Sequence, residues 1–274
     1  MELEHDERDG CRWQVARRLP APALRPLLGQ ALEGWAWEGP SAASFHELPF
    51  PGIPLILNLD APWRVEGTNL DSFLAGLSTR PTTVAGERAF SCVELRLTPL
   101  GTRRLLGLPL HEVTGRSVPL EELLPGAETL TARLRDVPDW ETRFDLVESF
   151  LDRRLADSAP PPRELEWAWR QLVRSGGRVR VRTLAGELGW SPRRLIDRFR
   201  DHVGLPPKTV ARVIRFNRAV TALSSGTPRI AEVAAACGYA DQAHLARDVR
   251  ALGGITPGEL VAGNFVQDAA DAAA

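Results

Sequence analysis

Two stretches in the C-terminal third of the 274-residue chain share one pattern, and that pattern leaves few folds open. In TLAGELGWSPRRLIDRF the marker residues are Ala185, Gly189, Ser191, Leu195 and Phe199. In EVAAACGYADQAHLARDV they are Ala234, Gly238, Asp241, Leu245 and Val249. Each alanine precedes its glycine by four residues, each Ser or Asp precedes core residues at +4 and +8, and the second turn is one residue longer. A small alanine lets two helices approach, and glycine permits positive φ in the turn. The Ser or Asp oxygen accepts from a free N–H at the start of the next helix. Each unit therefore reads helix, glycine turn, capped helix, which is a helix-turn-helix.

Between the two units runs LPPKTVARVIRFNRAVTALSSG, opened by Pro206 and Pro207 and ended by Gly226. At about 100° per residue, Val210, Val213, Ile214, Val220 and Leu223 fall in one arc and Arg212, Arg215 and Arg218 in the opposite one. A helix of about 18 residues is about 27 Å long, enough to hold two recognition helices near the 34 Å spacing, roughly, of successive major grooves. Ahead of the first unit, RELEWAWRQLVRSGG places Leu165, Ala168, Trp169, Leu172 and Val173 at helical spacing. ADSAPPPRE, just before it, is small, polar and proline-rich, so it breaks helices and reads as a boundary. The organisation expected is an N-terminal domain over 1–157, a linker at 158–163, an all-α domain with two helix-turn-helix motifs joined by a long helix over 164–262, and a flexible tail at 263–274.

The N-terminal half reads as α+β. GWAWEG, IPLILNL and RAFSCVELRL have strand patterns. TPLGTRRLLG is a short helix with Thr98 as cap and Pro99 at its first position. PDWETRFDLVESFLDRRLA is a helix with Trp140, Phe144, Val147 and Leu151 on one face. The prolines and glycines between strands predict a curved antiparallel sheet, a partial and cupin-like barrel, followed by helices.

Charge divides along the same boundary. The net charge is −1, yet residues 163–262 hold 17 Lys and Arg against 9 Asp and Glu, and residues 1–162 hold 17 against 24. Only the C-terminal end is suited to a polyanion. Lys208 is the single lysine; the remaining basic residues are arginines, which bind phosphate and guanine bidentately. No apolar run spans a membrane, and MELEHDERDG has the wrong charge for a secretory signal. Cys11, Cys92 and Cys237 form no CxxC pair, so no zinc site or disulfide framework is indicated, and a cytoplasmic setting is expected.

Two helix-turn-helix units, a long arginine-bearing helix between them and a closing GGITPGEL resemble the DNA-binding domain of the AraC/XylS-type transcription regulators over about residues 165–261. Val249 stands where that family usually has an aromatic. The N-terminal half, with ELPFPGIPLILNL and RLTPLGTRRLLG, is similar to sensor regions of a poorly characterised branch of the family. The resemblance implies a sequence-specific DNA-binding regulator whose N-terminal domain senses a small molecule or mediates self-association. Double-stranded DNA is the implied partner, with RNA polymerase, an unidentified effector and a second copy of the chain as candidates.

Family contact positions map onto Arg193, Ile196 and Asp197 in the first recognition helix and onto Gln242, Ala243, His244 and Arg247 in the second. The residue chemistry agrees. Arg193 or Arg194 suits guanine O6 and N7 or a phosphate, and Asp197 suits cytosine N4 or holds Arg193 in place. Gln242 suits adenine, Arg247 guanine or phosphate, and Ala243 is small enough for close approach to the groove. Arg200 and Arg250 lie on the same outward sides, and Arg212 and Arg215 are candidates for the phosphate backbone.

No catalytic set is legible: His46 and His111 stand far apart, and neither a phosphate loop nor GxSxG is present. No metal or cofactor is expected. Trp35, Trp37 and Trp63 are core residues or the lining of an apolar effector pocket. A methyl-accepting repair protein with this DNA-binding domain would need a cluster of N-terminal cysteines, which the chain lacks. The rival readings are a regulator controlled by a protein partner through the N-terminal domain, and an enzyme fused to a DNA-binding module.

Overall fold

The computed structural model describes residues 1–8, 10–225 and 229–261; Gly226 and the tail expected at 263–274 lie outside the described residues. Two units separate by the density of their internal contacts. The N-terminal unit is Met1–Ser44, Gly52–Gly76 and Val84–Pro161; the C-terminal unit is Phe45–Pro51, Leu77–Thr83 and Pro162–Ala274.

Eleven strands are found among the described residues: β1 (Glu2–Arg8), β2 (Cys11–Arg18), β3 (Leu32–Glu38), β4 (Ala43–Glu47), β5 (Ile53–Asn58), β6 (Trp63–Val65), β7 (Thr68–Leu70), β8 (Phe73–Ala75), β9 (Thr82–Gly86), β10 (Ala89–Leu97) and β11 (Ser117–Pro119). The larger sheet is antiparallel, in the order β1-β2-β3-β10-β5-β8-β11, and the smaller has the order β4-β9-β6-β7. The three strands expected from GWAWEG, IPLILNL and RAFSCVELRL are β3, β5 and β10, adjacent in the middle of the larger sheet. The hairpin of β1 and β2 was not legible in the sequence. MELEHDER is mostly charged and lacks an apolar alternation, because β1 is an edge strand whose side chains from Glu2 to Glu7 are exposed or, at Asp6, half-buried.

Among the described residues of this unit, α1 (Pro99–Leu106) lies between β10 and β11, and α2 (Leu120–Leu123), α3 (Ala127–Asp136) and α4 (Trp140–Ala156) follow β11. The Thr98 side chain accepts from the Gly101 N–H, as its cap position requires. Along α4 the residues Trp140, Phe144, Val147 and Leu151 are buried, with Phe150 and Leu155 widening the stripe. That stripe packs on one face of the larger sheet, where Gly34 leaves room for the Trp140 ring that a Cβ would overlap. The Trp140 indole donates to Gln14 Oε1 at 2.8 Å, and Arg18 reaches Asp145 at 2.6 Å and Glu148 at 3.0 Å. The N-terminal unit is thus an antiparallel sheet followed by helices.

The C-terminal helices are α5 (Arg163–Arg174), α6 (Val181–Glu187), α7 (Pro192–Val203), α8 (Pro207–Ser224), α9 (Ile230–Ala236), α10 (Gln242–Gly253) and α11 (Pro257–Val261). The arc of α8 expected to face inward does so, with Val210, Val213, Ile214, Val220 and Leu223 all buried. α8 is the common spine, with α5, α7, α9, α10 and α11 all packed on it. In α5, Leu165, Ala168 and Leu172 are buried, but Val173 is 47% exposed. Val173 lies one position round the helix from Leu172, beyond the width of the stripe that α7 and α8 cover.

One feature of this unit has no counterpart in the sequence pattern. The hydrophobic cluster of the second helix-turn-helix contains Phe216, Ala219, Val220, Leu223, Val233, Leu245, Val249 and Leu252, and it also contains Leu48.

Candidate nucleic-acid interface

Each recognition helix is held by the same device, a side-chain cap followed by buried residues one turn apart. Ser191 Oγ accepts from the Arg194 N–H at 3.2 Å, Pro192 occupies the first helical position, and Leu195, Phe199 and Val203 are buried. Asp241 Oδ1 accepts from the His244 N–H at 2.6 Å, and Leu245, Val249 and Leu252 are buried. The turns before them run through Gly189 at φ 63° and Gly238 at φ 81°, the left-handed conformation that the spacing called for. With one side fixed to the core, the opposite side is determined by the 3.6-residue period.

On α7 that side carries Arg193, Arg194, Asp197 and Arg200, all exposed, with Ile196 half-buried at the flank. Arg193 Nε lies 3.9 Å from Asp197 Oδ2, and both side chains are largely in water, so the pair is loose and Arg193 is able to leave it. The Arg194 guanidinium stacks over the Trp190 ring at 4.5 Å. On α10 the outward residues are Gln242, Ala243, Arg247 and Arg250. His244 is half-buried, its ring edge-on to Tyr239 at 5.1 Å, and its Nδ1 accepts from the Ala240 N–H at 3.4 Å. In the neutral ring this leaves Nε2 as the donor.

The arginines of α8 are differently placed. Arg212 Nε donates to Asp248 Oδ1 at 2.8 Å, tying α8 to the inner side of α10. Arg215 Nη1 donates to the Gly177 carbonyl at 2.7 Å, with its guanidinium 5.9 Å above the Tyr239 ring. Both guanidinium groups thus hold elements of the domain to one another, while Arg218 is exposed. The sequence pattern put all three on a polar arc but carried no sign of Asp248 or Gly177 as partners.

Tyr239 and Asp248 were not singled out from the sequence. Burial pushes the Tyr239 hydroxyl up, reinforced by the nearby Asp248 carboxylate, so it stays neutral under the Arg215 guanidinium. Asp248 occupies a position with core spacing three residues after Leu245, and a carboxylate there is a signal that a cation faces it.

In the N-terminal unit, Trp35 and Trp37 share one face of β3, opposite Cys92 and Phe90 of β10. Trp37 stacks on Phe90 at 5.4 Å, and Trp63 meets the same ring edge-on at 4.6 Å. Trp63 is buried and donates to Asn58 Oδ1 at 3.0 Å, so it is tied into the core. Trp35 and Trp37 are half-buried, and the Trp35 indole N–H is enclosed without a hydrogen-bond partner among the described residues. Glu33, on the same face, pairs with Arg17 at 3.0 Å; burial, and next the Glu94 carboxylate, push its carboxyl up. Among the described residues no group of three or more His, Cys, Asp or Glu side chains is placed to hold a metal ion, and no helix is long and apolar enough to cross a membrane.

Two capped helices on one α8 spine, each with a polar and largely basic outer side, define a double helix-turn-helix domain. Residues 184–262 match the family described as a helix-turn-helix domain, and residues 16–119 match a family described as a domain of unknown function, DUF6597. The family match thus agrees with the helix-turn-helix architecture of the C-terminal helices. Similar solved structures include an AraC-type transcriptional regulator from Chromobacterium violaceum, 24% identical over 38% of this chain and 95% of its own with a TM-score of 0.35. A probable AraC family transcriptional regulator from Rhodopseudomonas palustris is 25% identical over 38% of this chain and 99% of its own, TM-score 0.34. ToxT from Vibrio cholerae is 9% identical over 92% of this chain and 98% of its own, TM-score 0.47. No curated protein matches the chain.

Proposed function

We infer that the chain is a sequence-specific transcription regulator that sets α7 and α10 into successive major grooves of one duplex. The observation that carries this reading is the shared construction of the two helices. Each is capped at its start and buried along one stripe, and each offers an exposed arginine: Arg193 on α7, in a loose surface pair, and Arg247 on α10. Arg193, Gln242, His244 and Arg247 supply the base discrimination, with Asp197 and Ile196 at its edge and Ala243 allowing close approach. Arg194, Arg200 and Arg250 neutralise phosphates. Arg212 and Arg215 brace the domain so that both helices keep their separation.

The N-terminal unit controls this binding through a small apolar effector or by pairing two copies of the chain. The half-buried Trp35 and Trp37, with the unpartnered Trp35 N–H, support the effector reading. RNA polymerase is the further partner that a regulator of this class meets.

Selection of preferred duplexes from a random library, followed by binding of the Arg247→Ala variant, tests the reading. On the preferred site the variant is expected to lose ~1–3 kcal/mol and to relax its preference at one position. An equal loss on every sequence would instead make Arg247 a phosphate contact, and no preferred sequence at all would sink the reading.

A further inference from the structure

Leu48 is 5% exposed within the cluster that supports the second recognition helix. A Cβ at Gly253, the last residue of α10, would lie 3.4 Å from Leu48 Cδ2 and 3.3 Å from Phe216 Cζ, so Leu48 and the Phe216 ring together meet the end of α10. At the next residue, Gly254, the corresponding position lies 3.8 Å from Pro81 Cγ. Leu48 and Pro81 belong to Phe45–Pro51 and Leu77–Thr83, the two pieces of the C-terminal unit that come from before the linker. The chain passes from the N-terminal unit into the C-terminal one after Ser44 and returns at Gly52, so Leu48 is four residues from either crossing. Pro49 and Pro51 stiffen the return, because proline fixes φ.

We propose that Leu48 is a positioning residue for the second recognition helix: the segment Phe45–Pro51 helps set the pose of α10 by seating Leu48 beside Phe216 in the cluster beneath it. A leucine in a close-packed cluster transmits displacement because the cluster has little free volume to absorb it. This role of Leu48 rests on the proposed DNA reading for its functional consequence, but not for the structural one.

The test uses the full chain carrying Leu48→Ala, Leu48→Val and Leu48→Met, well below their melting temperatures, with Leu260→Ala as a control in the same cluster. Hydrogen exchange is followed in α7 and α10, and affinity is measured on the selected duplex. Leu48→Ala is expected to speed exchange in α10 and leave α7 unchanged. It should weaken binding on the order of tenfold, with the loss confined to the α10 half of the site. Leu48→Met, which preserves volume, should restore both. If Leu48→Ala fails to fold, Leu48→Val gives the same readouts at smaller amplitude. Overturning results are a folded Leu48 variant with unchanged α10 exchange, or equal losses at both halves of the site, or a Leu260→Ala variant that weakens the α10 half as selectively. If the wild-type chain selects no duplex, the DNA reading falls, and α10 exchange still decides the role of Leu48.

Discussion

Gly177→Ala is expected to remove a large part of the stability of the C-terminal unit. Gly177 has φ 73°, and a Cβ there would overlap the carbonyl oxygen and carbon of Ala211 in the backbone of α8. Left-handed backbone costs a non-glycine residue roughly 1–2 kcal/mol, and forced overpacking a further ~1–3. The Gly177 carbonyl is also the acceptor for Arg215, so any shift to relieve the overlap loosens that contact. A total of about 3 kcal/mol or more is large against the ~5–15 kcal/mol that a domain has. It should lower the melting temperature of the C-terminal transition by more than about 10 °C, followed by circular dichroism. Gly176→Ala is the informative companion. Its φ is 59°, but the atoms nearest its Cβ would all belong to the outer part of the flexible Arg218 side chain. The Gly176 variant should keep most of its stability; two variants that melt alike would contradict the backbone clash.

Phe199→Ala should have a comparable cost by another route. Phe199 is fully buried under α7, and truncating such a phenylalanine typically costs ~3–5 kcal/mol through lost burial and a residual cavity. The first recognition helix is held to the domain chiefly by Leu195, Phe199 and Val203, so its pose suffers before the rest of the unit does. At low temperature the variant should stay helical yet lose protection of the half-site read by α7, with that of α10 retained. Chemical denaturation measured alongside footprinting checks both parts. A midpoint near wild type would mean that α7 is anchored elsewhere.

Local features of the chain were readable because they obey short periods. Thr98, Ser191 and Asp241 cap the helices that their spacing announced, and Trp140, Phe144, Val147 and Leu151 form the stripe of α4. Three central strands were equally clear, since their buried faces demand β-branched and apolar residues. What stayed hidden depends on partners distant in sequence. Arg212 and Arg215 look like solvent-facing residues of a helix until Asp248 and Gly177, 36 and 38 residues away, are brought against them. β1 owes its strand conformation to pairing with β2 and not to its own charged sequence. Leu48 is a lone leucine between Glu47 and Pro49 with no periodic neighbours, so nothing local marks it as part of the cluster beneath α10.

The central claim is that α7 and α10 read one duplex together from a common spine. Footprinting of the full chain on a selected duplex tests it most directly, with Arg193→Ala and Arg247→Ala in parallel. Two protected major-groove segments about one helical turn, roughly 34 Å, apart are predicted, with each variant exposing a different one. A single protected segment, weakened alike by both substitutions, would contradict it.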